Sequence, residues 1–166
     1  MTNKIAVITG GLSGIGLASA KALIQQGQTV VIGSRRCNTK EASSIQNSLD
    51  KKVIFYQLDV SDKKSVASFT NQIEKEFGPP EILINAAGIY EEAQIVDCDT
   101  THWHNQIDIN LTGPFLMTQA LMPGMIKKKF GRIINIASTA GRVGEAGYFG
   151  YCASKAGLIA LSKVTA

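Results

Sequence analysis

Tyr151 and Lys155 are separated by Cys152-Ala153-Ser154. On a helix, that spacing brings a phenol and an ammonium onto one face. A lone phenol titrates near pH ~10. A neighbouring cation favours the phenolate, so Lys155 is expected to lower that value and make Tyr151 a proton donor and acceptor near neutrality. Such a pair is also a common surface contact of helices. Ser138 adds weight: it comes after the strand-like run Ile133-Ile134-Asn135-Ile136, at the end where parallel sheets place their ligands.

A second group of residues suits an anion. Thr9-Gly10-Gly11-Leu12-Ser13-Gly14-Ile15-Gly16 comes after the first apolar run and opens a helical pattern. Glycines let the backbone turn sharply and let a pyrophosphate approach with no Cβ in the way. The next helix offers free N–H groups and the positive end of its dipole. The spacing, Gly10-x3-Gly14-x-Gly16, differs from the general GxGxxG fingerprint. An ordinary tight strand-to-helix turn is the competing explanation, but the position after the first strand favours phosphate.

The second strand bears on which dinucleotide fits. A site for NAD usually carries an acidic residue there to bond the ribose 2′-hydroxyl. Here the sequence reads Gly33-Ser34-Arg35-Arg36. Guanidinium forks match a 2′-phosphate, and Ser34 can add a hydroxyl. NADP(H) is therefore expected over NAD(H), the alternative being that one or both arginines simply face water.

The elements that must position these groups alternate in a regular rhythm. Strand-like runs fall at 5–8, 29–32, 53–58, 82–84 and 133–136. Helical patterns are expected from Ile15 to Gln26, over 39–49, from an Asp62 cap to Phe77, over 101–125, and from about Gly150 to the end. Continuous apolar strands alternating with helices imply right-handed crossovers and a parallel sheet with both faces covered. The expected fold is a doubly wound α/β domain spanning 1–166. With 45% hydrophobic residues and 18% charged, the composition excludes a disordered tail, a collagen-like fibre and a disulfide-stapled miniprotein. The net charge of +4 is a mild excess, and its densest run, Lys127-Lys128-Lys129, reads as a solvated helix end rather than a nucleic-acid surface. Cys37, Cys98 and Cys152 form no CxxC pair, so a reduced, cytoplasmic protein is expected and neither a metal nor a disulfide framework is. His102 and His104 flank Trp103 without further ligands and read as structural or surface residues. No signal peptide or membrane-spanning run is visible.

Taken in order, Thr9-Gly10 with Gly14 and Gly16, Asp59, Asn85-Ala86-Ala87-Gly88, Asn110, Ser138, and Tyr151 with Lys155 resemble the short-chain dehydrogenase/reductase family in its single-domain form, leaning toward 3-oxoacyl-thioester reductases. The resemblance runs from Lys4 to the last residue. It implies a Rossmann-like sheet with five strands present in the order 3-2-1-4-5. It implies that Tyr151 is the acid/base, that Lys155 bonds the nicotinamide ribose and tunes Tyr151, and that Ser138 holds the substrate oxygen. Asn110 would sustain a water-mediated proton relay from a kink in the long helix. Gly10, Ser13, Gly14, Ile15 and Gly16 would receive the pyrophosphate, and Ser34, Arg35 and Arg36 the ribose phosphate. Asp59 and Val60 would meet the adenine. Asn85, Ala86 and Gly88 would support the sheet and line the cofactor site. The rival reading of Asn85 and Asn110 is capping or helix bonding.

Ala86 stands where the family often has a second Asn, and Ser13 where NADP-preferring members often carry a base. The family also continues for two more strands, a substrate loop and a Pro-Gly motif, so the chain is expected to be truncated at its C-terminus, with the fifth strand left as a bare edge. The helix around Phe115, Leu116, Met117, Leu121, Met122 and Met125 is apolar on more than one face and so is expected to be buried. The resemblance implies that it and the Tyr151 helix pack against a partner subunit, in a homodimer or homotetramer of the complete protein. Two rivals stay open: a dinucleotide-binding fragment without turnover, and a sugar-nucleotide epimerase or dehydratase, which shares the Tyr-x3-Lys pair but typically spaces its glycines differently.

Overall fold

The computed structural model describes residues 3–49 and 53–166. Five parallel strands form one sheet, β1 (Ile5–Thr9), β2 (Thr29–Ser34), β3 (Val53–Gln57), β4 (Ile82–Asn85) and β5 (Arg132–Asn135), in the order β3-β2-β1-β4-β5. The helices are α1 (Gly14–Gln25), α2 (Lys40–Ser48), α3 (Lys63–Phe77), α4 (Thr100–Ile107), α5 (Gly113–Lys127) and α6 (Phe149–Val164). The order is the expected one. It reverses direction beside β1, which leaves a crevice at the strand ends between β1 and β4.

Side-chain alternation along the buried strands divides the core in two. Val7, Val31 and Leu83 point to the face covered by α3 and α5, where they meet Val66, Phe69, Ile73, Met117, Leu121 and Met125. Ala6, Ile8, Val30, Ile32 and Ile84 point to the opposite face, against Ala20, Leu23 and Ile24 of α1. Ala6, Val7, Ile8, Val30, Val31 and Ile32 have no exposed surface, which is why these strands read as unbroken apolar runs. Each large side chain among them contributes roughly 1.5–3 kcal/mol of burial. β5 is an edge of the sheet, with Arg132 and Ile134 exposed.

The single long helix expected over 101–125 is three pieces. A π-helical turn, Asp108–Thr112, sits between α4 and α5. The wider turn adds a residue to the helical cycle and rotates α5 relative to α4. Gly113, just after the turn, lets the start of α5 pack closely on Val60: a Cβ there would lie 2.9 Å from it. The last helix ends at Val164, where the Thr165 hydroxyl donates back to the Leu161 carbonyl at 2.9 Å. Asp62 caps α3 as expected, its side chain accepting from the Lys64 N–H.

Glu81 fastens the sheet at the end opposite the crevice. Its backbone N–H donates to Ile5 O and its carbonyl accepts from Arg132 N–H, while Oε2 accepts from the Ile5 N–H at 2.8 Å and Oε1 pairs with Lys128. Burial pushes this carboxyl up, but the Lys128 and Ile5 bonds outweigh it and hold the group below the ordinary 4.5. A depressed native value means stability that is full above the unfolded value and lost as the pH falls through the native one. Glu81→Gln should therefore cost about 1 kcal/mol at neutral pH in urea denaturation, and its deficit against wild type should shrink steadily below pH 4.5.

Candidate active site

The crevice is a cleft of about 590 Å³ lined by the glycine loop, the end of β2 and the loops after β3 and β4. Gly10, Ser13, Gly14, Ile15 and Gly16 line one side; Ser34, Arg35, Arg36, Asp59 and Val60 line the far end; Ala86, Gly88, Ile89 and Ile136 line the other side. Gly10 holds φ at +68°, and a Cβ on it would lie 2.7 Å from the Ala87 Cα. A Cβ on Gly16 would lie 2.5 Å from the Gly10 carbonyl oxygen, so this glycine lets α1 start directly against the loop. The Thr9 hydroxyl accepts from the Ala86 and Ala87 N–H groups at 3.2 and 3.1 Å and closes the loop onto the β4 end.

The start of α1, like that of α6, has no side-chain cap. The caps of α2, α3 and α4, namely Thr39, Asp62 and Asp99, each accept a first-turn N–H with their side chains. Ser13 makes no such bond, and the first turn of α1 holds no acidic residue. These N–H groups therefore face the cleft without a protein acceptor from the cap, as an anion site requires.

At the far end, the Ser34 hydroxyl accepts from the Arg36 N–H at 3.1 Å, and both arginines are exposed. The Asp59 carboxyl is held below its ordinary value, first by the Ser61 hydroxyl, against the opposing effect of burial, then by the Ser61 N–H and the Arg35 charge. The Asp59 carboxylate thus lies within electrostatic reach of Arg35.

Lys155 is 5% exposed, and this burial lowers its pKa. Its Nζ donates to the Ile136 carbonyl at 2.7 Å, on the cleft wall, and stands 5.6 Å from the centre of the Tyr151 ring. The charge thus reaches Tyr151 across its ring. Ser138 starts a 3₁₀ turn, Thr139–Gly141, and its hydroxyl accepts from the Ala140 N–H at 3.2 Å. Ser138, Tyr151 and Lys155 themselves stand outside the cleft lining, just past Ile136.

Asn110 lies in the π-helical turn and is fully buried. Its Oδ1 accepts from the Ile89 N–H at 2.8 Å; its Nδ2 donates to the Ile89 carbonyl at 2.9 Å and to the Ser154 hydroxyl at 3.2 Å. The kink implied by the resemblance is this turn. Asn85 does not line the cleft: it is buried behind it, its Nδ2 donating to Asn135 Oδ1 at 2.8 Å. Asn135 in turn donates to the Ser162 hydroxyl at 2.8 Å. Neither Asn135 nor Ser162 stands out in the sequence. The polar residue closing the apolar run of β5 is the one signal that points to them.

A family model described as short chain dehydrogenase matches residues 4–166. The chain belongs to that family. It is 39% identical over 163 residues to the 3-oxoacyl-[acyl-carrier-protein] reductase FabG of Haemophilus influenzae, a match covering 98% of this chain and 66% of the relative. It is 38% identical to the D-beta-hydroxybutyrate dehydrogenase of Cupriavidus necator, covering 100% and 65%. A solved short-chain dehydrogenase from Streptomyces avermitilis superposes with a TM-score of 0.94 at 28% identity, covering 99% of this chain and 60% of that one. The chain thus spans about two thirds of the length of these relatives.

The Asn110 contacts make a definite demand on stability. Asn110→Ala leaves both Ile89 backbone groups without their partner and should cost about 2–4 kcal/mol in chemical denaturation, whereas Ser154→Ala should cost about 1 kcal/mol.

Proposed function

We propose that the protein is an NADP(H)-dependent oxidoreductase that interconverts a ketone and a secondary alcohol. The observation that carries this reading is Lys155: one helical turn from Tyr151, it anchors its ammonium on Ile136, in the wall of the cleft that the glycine loop opens. A dinucleotide suits the cleft's residues, with the unpartnered start of α1 for the pyrophosphate and two guanidiniums at the far end for the 2′-phosphate.

In this reading Gly10, Ser13, Gly14, Ile15 and Gly16 hold the pyrophosphate. Ser34, Arg35 and Arg36 hold the 2′-phosphate, and Asp59 and Val60 bound the adenine. Ala86 and Gly88 floor the nicotinamide half, with Asn85 bracing the strand beneath. When bound, the cofactor supplies or accepts the hydride. Ser138 holds the carbonyl oxygen. Tyr151 gives that oxygen a proton in reduction and takes it back in oxidation. Lys155 bonds the ribose and places its positive charge against the phenol. Asn110 sustains the water chain that returns a proton toward Lys155. The candidate substrate is a 3-oxoacyl thioester, since two of the relatives are named for 3-oxoacyl and β-hydroxybutyrate chemistry. We place the protein in the cytoplasm, in keeping with its three free cysteines, and as a homodimer or homotetramer joined through the long helical segment, where Trp103 and Phe115 are exposed, together with the Tyr151 helix.

A second reading, dinucleotide binding without turnover, draws on the position of Ser138 and Tyr151 outside the cleft lining. NADPH fluorescence titration combined with a carbonyl substrate screen separates the two, because binding without NADPH oxidation favours the second. Tyr151→Phe should cut turnover by about 10²-fold or more while NADPH affinity holds; retained turnover would refute the acid/base role. Replacing Arg35 and Arg36 together by alanine should weaken NADPH by roughly 10–100-fold and leave NADH nearly unchanged. An unaltered preference in paired titrations counts against the phosphate clamp.

A further inference from the structure

The loop after β4 carries Tyr90, Glu91 and Glu92, and the segment before α6 carries Gly147 and Tyr148. Neither stretch holds regular structure around these residues, yet they meet beside Tyr151. The Tyr90 ring stands edge-on to the Tyr151 ring, with centroids 5.0 Å apart and planes at 84°. The face of Tyr90 lies flat on Tyr148, at 4.4 Å and 10°. The Tyr148 hydroxyl donates to Glu92 Oε2 at 3.1 Å, and the Ala93 N–H donates to the Gly147 carbonyl at 2.9 Å. Gly147 is in a left-handed conformation, φ +83°, and a Cβ on it would lie 3.1 Å from Glu92 Cγ. The two loops are thus tied by backbone, by carboxylate and by three rings in sequence. On another side, the Tyr151 ring meets the Lys155 ammonium.

We propose that Tyr90 is a positioning residue for Tyr151: its ring, braced by Tyr148 and through it by Glu92, fixes the plane in which the phenol presents its hydroxyl. The inference rests on the reading of Tyr151 as acid/base. Aromatic rings prefer edge-to-face contact at this separation, so the pair has a defined orientation rather than a loose apolar contact. The brace holds by geometry: the Tyr90 ring lies flat on Tyr148, whose hydroxyl donates to Glu92 Oε2. A proton transfer depends steeply on placement of the reacting atoms, so a freed ring loses rate without losing cofactor.

The test compares Tyr90→Ala, Tyr90→Phe and Glu92→Gln with wild type and Tyr151→Phe. Tyr90 is 55% exposed, so its replacement leaves the core intact. Tyr90→Ala should lower kcat about 10–30-fold with KM and NADPH Kd within about twofold, Glu92→Gln should lower it a few-fold, and Tyr90→Phe should restore it. A second readout needs no turnover. The near-ultraviolet dichroism contributed by Tyr151, measured as parent minus Tyr151→Phe, should collapse in the Tyr90→Ala background and survive with Tyr90→Phe, because only a held ring gives that signal. Undiminished kcat and dichroism in Tyr90→Ala, a loss confined to KM, or a Tyr90→Phe variant as impaired as Tyr90→Ala would each overturn the proposal. Full turnover in Tyr151→Phe alone would instead overturn the acid/base reading.

Discussion

The carboxamide of Asn110 has three partners in two directions. Its oxygen and nitrogen close onto both backbone groups of Ile89, which lines the cleft, and the nitrogen also meets Ser154, on the helix that carries Tyr151 and Lys155. In this buried position, an amide that loses these bonds leaves unpaired donors and acceptors, so the three elements are held at one separation. The π-helical turn aims the amide: a regular α-helix through Asp108–Thr112 would rotate it off Ile89. The wider turn thus exchanges regular hydrogen bonding in one helix for a fixed relation between the cleft and the helix that carries Tyr151 and Lys155.

Much of this is legible in the residues, and the exceptions have physical causes. Strands buried on both faces announce themselves as apolar runs, so their number and the crossover pattern can be read from the sequence. The glycine loop, the Asp62 cap and the one-turn spacing of Tyr151 and Lys155 are local features, set within a few residues. The break in the long helix is not. Apolar residues continue on both sides of it, and a wide turn inserts a residue without a proline or glycine inside it. Gly113-Pro114 immediately afterwards is the one punctuation available. The loop 89–99 is chemically mute in the sequence because Tyr90 gains its meaning only from Tyr148 and Tyr151, far along the chain. Asn85 reads toward the cofactor, but its strand register sets it opposite Asn135 and turns the two amides on each other.

Lys155 is a buried cation, and its burial works against its charge. Desolvation weakens its ammonium, and the bond to Ile136 O satisfies a single donor. A group that is short of partners in this way gains when a ligand hydroxyl arrives, and that gain can contribute to binding. A surface lysine at the same spacing would be hydrated already and would have little to gain. The buried position therefore distinguishes this pair from the ordinary helix-surface pairs that share its sequence spacing.

Besides the Lys155 bond to Ile136, two serine hydroxyls fasten the helix that carries the pair, and their spacing along it matters. Ser154 joins it to Asn110, while Ser162, eight residues on and about 12 Å along the axis, joins it to the sheet through Asn135 and Asn85. Leu158 lies between them with 1% exposure and fills the space in the middle. One anchor would leave the helix free to pivot, because apolar packing resists separation but only weakly resists sliding. Two directional anchors with an apolar contact between them fix both the height of Tyr151 above the strand ends and its rotation toward Tyr90. Since β5 is an edge strand with exposed residues, this polar line from Asn85 to Ser162 is also what ties the edge to the helix above it.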